Sequence, residues 1–573
     1  MERKQILISL IIIVFAIFTL LSLASGMGLI SSTSNYEVDV NELTNELTID
    51  NSNWHYDKEN NIYYQLGIPY CANPENSKYE SLAIYVPGDY FNGIENPNGT
   101  YSCSVINSNV GNFTASNAPI VMPINTPGYS AHLCPKTYNP NDVKTFTDAG
   151  LIYVDAGCRG KENGYNFSGG APWGVADLKA AVLYLRFNGD TLPGDSERIF
   201  AFGHSGGGAQ SAILGASGDS DLYVPYLESI GAALVDRNGN KLSDSICGAM
   251  CWCPITSLDS ADEAYEWAMG QYSSSGTRGN GTWTGALSDD MASAYAKYIN
   301  SLKLKGNGHT LSLEGANDGI YTSGSYYDYM LSVVEGSLNN FLKDTKFPYT
   351  SKSQTYQTPQ DYIDSLNGDE EWIIYNSSTN TAHIASIGSF VNHCKSPSKD
   401  VGAFDDLGKA QAENDLFGND EKDSLHFDAT MTNLLKANGD KYSEYSDYNP
   451  LHADEYASDL TQVDKLNSTI ENRSNMYNPM YYLCSYYDGS GDSHPAKYWR
   501  INSGIEQGDT SFTVEANLAL ALEDCGDVDS VEFNPVWGKG HTQAERYGSP
   551  DANFINWING CMEDESGFLS FLF

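Results

Sequence analysis

Positive charge is scarce in this chain. Its 573 residues carry 32 Lys and Arg against 73 Asp and Glu, a net charge of −41. A field of that sign repels phosphate backbones and anionic lipid, so nucleic acid and acidic membrane surfaces are excluded as partners. The acids are scattered rather than gathered into runs, which describes a well-solvated surface. Metal-ligand spacing is missing as well: no pair among the 11 cysteines has the separation of a zinc site. Their odd number leaves at least one thiol outside any intramolecular disulfide. "DGSGDS", Asp488 to Ser493, lacks the later ligands of a calcium loop and reads as a turn. No internal repeat is found, and beyond Ala24 no apolar run is long enough to span a bilayer.

The N-terminus is the exception. Arg3 and Lys4 precede an apolar run from Ile6 to Leu21 that continues nearly to Ala24. Residues 1–30 are therefore expected to be a signal peptide cleaved near "SLA" or an uncleaved membrane anchor with its positive end inside. No cysteine follows the run, which disfavours a lipid anchor. The remainder is expected outside the cytoplasm, secreted or held at the cell surface. Seven N-x-[S/T] sequons, at Asn98, Asn112, Asn166, Asn280, Asn376, Asn467 and Asn472, fit that placement. Residues 31–60 are polar and read as a linker.

From residue 61 the text acquires a strand–helix rhythm. "SLAIYVP", "APIVMPIN", "GLIYVDAG", "RIFAF" and "GAMCWCP" are apolar strands, and "WGVADLKAAVLYLRF" is expected to be an amphipathic helix. Near-continuous apolar strands alternating with helices predict an α/β fold, a mostly parallel sheet with helices on both faces. The rhythm stops at residue 254. Residues 255–483 are helical and loopy, a large insertion. The pattern resumes over 484–573 with "YWRINSG", "TVEANLALALED", "SVEFNPVWG" and "NFINWING". The expected layout is thus a first half over 61–254, an insertion, and a second half. An insertion that interrupts such a sheet emerges at the edge where open α/β folds keep their sites.

The chemistry is expected at "RIFAFGHSGGGAQSAIL". Ser205 stands in a G-x-S-x-G on a strand-to-helix corner, where Gly203 and Gly207 let strand and helix close on each other. A serine hydroxyl needs a base. His541 follows the last strand, where the base of an α/β-hydrolase belongs, whereas His494 precedes a strand. The acid is expected after "YWRINSG", from Glu506 or Asp509. Asp509 is preferred because Gly508 frees the turn and Thr510 can open the next helix. The oxyanion hole is expected from the N–H of Gly206 and that of Gly128 or Tyr129, since Pro127 has none to give.

At this point "AGCRG", "GGAPWGVADLKAAVLYLR", "FGHSGGGAQSAILGASGDSDLYVPYLESIGAA", "AENDLFG", "INSGIEQGDTS" and "VWGKGHTQAER" together resemble bacterial tannases and the related feruloyl-esterase-like α/β-hydrolases. The resemblance covers residues 60–565. It implies an α/β-hydrolase fold with a large lid between the sheet halves, and a triad of Ser205, Asp509 and His541. It also implies that a lid lysine and glutamate, matched by Lys399 and Glu413, bind the galloyl hydroxyls. Tannases carry a second acid shortly after the catalytic aspartate; Ser511 follows Asp509 here, which weighs against gallate specificity. The fungal group, with a disulfide joining residues beside the serine and the histidine, is excluded, because His204 and Gly540 hold those places.

The resulting expectation is an exported serine esterase acting on a small-molecule or polysaccharide-linked ester of a phenolic acid, needing no metal or organic cofactor. Two rivals stand beside it. A peptidase of the prolyl-oligopeptidase kind would need a propeller ahead of the hydrolase half, and no blade repeat is present. A non-catalytic surface binding protein would be expected to have lost part of the triad.

Overall fold

A strand that is apolar on both faces must be covered on both faces, and the central strands of this protein are. The computed structural model describes residues 46–161, 169–315 and 321–572. The expected export segment and Asn166 lie outside them. No helix among the described residues is long and apolar enough to cross a membrane. Residues 47–573 form one compact unit.

Nine strands make the main sheet: β1 (His55–Asp57), β2 (Ile62–Pro69), β3 (Ser81–Pro87), β4 (Ile120–Ile124), β5 (Ile152–Ala156), β6 (Ile199–His204), β7 (Gly248–Trp252), β8 (Tyr498–Gly504) and β9 (Ser530–Val536). Their spatial order is β1-β2-β3-β5-β4-β6-β7-β8-β9. The pairs β1–β2, β2–β3 and β3–β5 are antiparallel. From β5 to β9 every pair is parallel. Every residue of β3, β4 and β7 is buried, while the two edge strands are mixed. Helix α1 (Trp173–Phe187) has no exposed polar face, because its Asp177 and Lys179 are buried and paired with Arg159 and Asp244. It and α2 (Gly206–Ala216) are buried along their whole length. They complete an α/β-hydrolase architecture.

The linker expected over residues 31–60 ends earlier than its polar text implies. Leu47, Ile49 and Trp54 are buried, and β1 pairs with β2. Three apolar anchors within an Asn- and Asp-rich stretch suffice to hold it against the body.

No strand of the main sheet lies between β7 and β8. That interval is built on α3 (Ala261–Ala268), α4 (Trp283–Leu302), α5 (Ser325–Asp344) and α6 (Ile387–Cys394), with short hairpins between them. It has a core of its own, in which Trp283, Leu287 and Met291 on one face of α4 pack against Met431, Leu435 and Tyr456. One pair links two of the quoted motifs: the buried guanidinium of Arg159 in "AGCRG" lies 2.7 Å from Asp177 on α1. Beyond β4 the chain crosses to β5 on one side and to β6 on the other. The carboxyl ends of β4 and β6 therefore flank a topological switch point, where open α/β sheets place their sites.

Candidate active site

The turn after β6 puts Ser205 at φ 60° and ψ −122°, a left-handed conformation that a side-chain-bearing residue holds only under constraint. The constraint is close packing. A Cβ on Gly207 would sit 2.0 Å from the carbonyl oxygen of Ile124, and one on Gly203 would sit 2.4 Å from Gly207. Both glycines are obligatory, and the serine N–H is tied to Trp252 O at 3.0 Å.

His541 follows β9 as expected. Its loop is stitched to the loop after β8 by the Glu506 N–H, which donates to Lys539 O at 3.0 Å. Its Nε2 lies 2.7 Å from Ser205 Oγ, across 336 residues of sequence. Burial pushes its pKa below the ordinary histidine value; the Asp509 carboxylate works against that shift and Lys399 and Lys395 work with it. His494, the rival, is exposed and pairs with Asp219.

The histidine's other nitrogen gives the main correction to the sequence reading. Nδ1 lies 2.7 Å from Oε1 of Gln507. Asp509, expected in that position, comes no nearer than 4.0 Å, with its side chain 49% exposed. Glu506 accepts from the Gly538 N–H at 3.1 Å instead of facing the histidine. Ser511, not Thr510, caps helix α7 (Phe512–Glu523), accepting from Thr513 N. Gln507 is an amide and not a carboxylate, and its one sequence signal is its place on the loop after β8.

Two backbone N–H groups lie close to the serine's turn. Gly206 opens α2, where an N–H has no intrahelical acceptor. Its Cα packs against the 126–129 turn, with Tyr129 N and Gly128 N 2.6 and 3.0 Å from where a Cβ would stand. Tyr129 N–H already donates to Thr126 O at 3.0 Å. Gly128 N–H has no acceptor among the described residues, so of the two candidates it is the one available to an oxyanion. The Tyr129 ring is buried, its hydroxyl donating to Ile255 O.

Lys399 and Glu413 come from the insertion. The Lys399 ammonium lies 4.1 Å over the Phe404 ring, a cation–π contact. Glu413 is 6% exposed; burial raises its pKa and Lys399 opposes the rise. Lys399 thus bears electrostatically on both His541 and Glu413. Beside the histidine, burial pushes His204 down to about 4, with the charge of His541 adding to the effect. His204, Cys253 and His541 offer ligand atoms within 4.8 Å of one another, the only such group among the described residues. Both ring nitrogens of His541 are already engaged, by Ser205 and Gln507, so a metal there would dismantle the serine–histidine pair. Cys253 lies past the end of β7, with φ 45° and its sulfur accepting from Gly504 N–H at 3.3 Å.

Sheet order, elbow and serine–histidine contact define an α/β-hydrolase. Solved structures agree. A Fusobacterium nucleatum tannase is similar at 28% identity and a TM-score of 0.64, over 87% of this chain and 95% of that one. A tannin acyl hydrolase from Lactobacillus plantarum is similar at 24% identity and a TM-score of 0.67, over 91% and 99%. A tannin acyl hydrolase in complex with 3,4-dihydroxybenzoate is similar at 25% identity and 0.66, over 90% and 99%. No family model and no curated protein matches the chain. Within its class this protein is tannase-like, which places it among the carboxylic ester hydrolases.

Proposed function

We propose that this protein is a serine esterase that hydrolyses esters of phenolic acids outside the cytoplasm. The observation that carries the reading is the 2.7 Å contact between Ser205 Oγ and His541 Nε2 at a left-handed elbow. Ser205 attacks the ester carbonyl while Nε2 takes its proton. The oxyanion rests on the N–H groups of Gly206 and Gly128. The alcohol leaves with the proton from His541, and water repeats the cycle on the acyl-enzyme. The imidazolium formed in each half-reaction is held by Gln507 at Nδ1 and by the nearby charge of Asp509.

The acyl group follows from three charged side chains, Lys399 and Glu413 of the insertion and Asp509 beside the histidine. With Gln507 as the histidine's partner, Asp509 stands two residues further on, where the tannase resemblance calls for a second acid. On this placement Asp509 supplies that second acid, and the chain departs from the tannase pattern by an amide in the place of the catalytic aspartate. Lys399, Glu413 and Asp509 together suit the vicinal hydroxyls of a galloyl or dihydroxybenzoyl ring: a cation for phenolic oxygens and two carboxylates to accept from them. Tannin acyl hydrolases similar to this chain have been solved with ethyl gallate and with 3,4-dihydroxybenzoate. The apolar N-terminal run supports export, either released or anchored.

The test is hydrolysis of methyl gallate, methyl ferulate and p-nitrophenyl acetate by the protein lacking residues 1–30, with Ser205→Ala as control. We expect all three to be cleaved and methyl gallate preferred. Full activity of Ser205→Ala would rule out the mechanism. Cleavage of the acetate alone would keep the esterase and remove the phenolic acyl group.

A further inference from the structure

Gln507 is held at both ends of its amide. Its Nε2 donates to Oε1 of Glu515 at 2.6 Å and to Ser503 Oγ at 2.9 Å, while the Ser503 hydroxyl donates to the same Glu515 oxygen at 3.1 Å. Gln507, Ser503 and Glu515 are all at most 1% exposed. An ionised carboxylate only accepts, so the NH2 face of the amide must turn toward Glu515. The amide oxygen then faces His541. An amide oxygen only accepts, so Nδ1 must carry the imidazole proton. Nε2 is left bare, the form that can take the proton of Ser205. The carboxylate thus sets the tautomer of a histidine it does not touch.

We infer that Glu515 is a positioning residue for ester hydrolysis: through the Gln507 amide its buried carboxylate orients His541 and stabilises the imidazolium, standing in for a carboxylate bonded directly to Nδ1. The inference rests on the serine-esterase reading. No proton travels along the chain of groups, because a primary amide neither gains nor loses one here. What passes is polarisation: a carboxylate pulling on the Nε2 hydrogens makes Oε1 a stronger acceptor.

Lys395 completes the arrangement from the insertion. It follows α6, is 1% exposed, and its ammonium donates to the carbonyl oxygens of Gln507 and Thr510, the latter at 3.1 Å. It thereby holds both ends of the turn that carries Gln507. Its charge also favours ionised Glu515, whose pKa burial pushes up to about 7; burial pushes Lys395 down to about 8. The other groups bearing on the histidine are Asp509, Lys399, His204 and the Cys253 thiol. None of them contacts the amide of Gln507.

The experiment is the ratio of kcat/KM on p-nitrophenyl acetate, wild type over Glu515→Gln, from pH 5.5 to 8.5, with folding checked by circular dichroism. We expect a ratio of about ten or more at pH 8, where Glu515 is ionised, shrinking toward pH 5.5, where the wild-type residue is itself neutral. Gln507→Glu in the Glu515→Gln background returns a carboxylate to the histidine and should recover most of the loss. A ratio near one at pH 8, or a loss equal at every pH and not recovered, overturns the inference. If Glu515→Gln does not fold, the His541 Nδ1–H resonance of 15N-histidine-labelled wild type decides. Two inflections, one from the ring and one from Glu515, support the inference; a single inflection overturns it. An active Ser205→Ala would instead strike the esterase reading, so the two failures remain distinct.

Discussion

Nδ1 of His541 lies 2.7 Å from the amide oxygen of Gln507, so the histidine's immediate partner is neutral. A neutral partner can orient the ring and fix its tautomer, but it adds no charge of its own to the imidazolium. That charge must come from groups one step removed, and each of them can be neutralised separately.

Asp509 is the nearer source, 4.0 Å from Nδ1 and half exposed. Coulomb attraction at that range, screened by solvent, is worth about 1 kcal/mol. Asp509→Asn should lower kcat/KM about five- to tenfold on p-nitrophenyl acetate. It should lower it further on methyl gallate, if the same carboxylate accepts from a ring hydroxyl as proposed. Equal losses on the two substrates would remove Asp509 from the acyl site.

Burial holds His541 below the ordinary value of 6.5. The base must be neutral to work, and a depressed pKa keeps it neutral to lower pH. The step of kcat/KM that reports His541 should therefore have its midpoint below 6.5, separate from the decline that Glu515 sets near 7. A midpoint well above 7 would contradict the burial argument.

Gly207→Ala forces a methyl group to within 2.0 Å of the Ile124 carbonyl oxygen, which belongs to a buried strand and cannot retreat. The variant should lose most esterase activity and unfold at lower denaturant concentration than wild type. Wild-type activity there would mean that strand and helix pack less closely than described.

Glu413→Gln and Lys399→Met should each raise KM for methyl gallate about tenfold more than KM for p-nitrophenyl acetate, which has no ring hydroxyl to bind in the acyl site. Steady-state kinetics on both substrates measures the difference.

Arg159→Leu leaves Asp177 and Glu80, both fully buried, without their cation. Breaking a buried pair in this way costs about 3–5 kcal/mol. Denaturant unfolding should show that loss although Arg159 makes no contact with the serine–histidine pair.

Seven of the nine strands of the main sheet, β3 to β9, were legible because they are short apolar runs bounded by turn residues, and the helices on it because they are longer, mostly apolar runs between those strands. "WGVADLKAAVLYLRF" spans the whole of α1, Trp173 to Phe187. The serine elbow was legible because steric need leaves a glycine signature. His541 was legible from its place after the last strand. Residues 47–57 were missed because Leu47, Ile49 and Trp54 are isolated within polar text and show no period. Hairpins of two or three residues a strand, such as Tyr349–Ser351 with Gln354–Tyr356, fall below the length at which alternation can be read. Gln507 was missed for a chemical reason: an amide's value to a histidine depends on what lies behind it, and Glu515 is brought there only by the turn into α7.

Lys395 belongs to the insertion, yet its ammonium is the strut beneath the turn that faces the histidine. Anyone paring this enzyme to a minimal scaffold could trim the outlying hairpins. Excising residues 387–399 along with them would leave Gln507 and Thr510 with two stranded carbonyls and a slack turn. What looks like a detachable cover is, at this one lysine, part of the foundation.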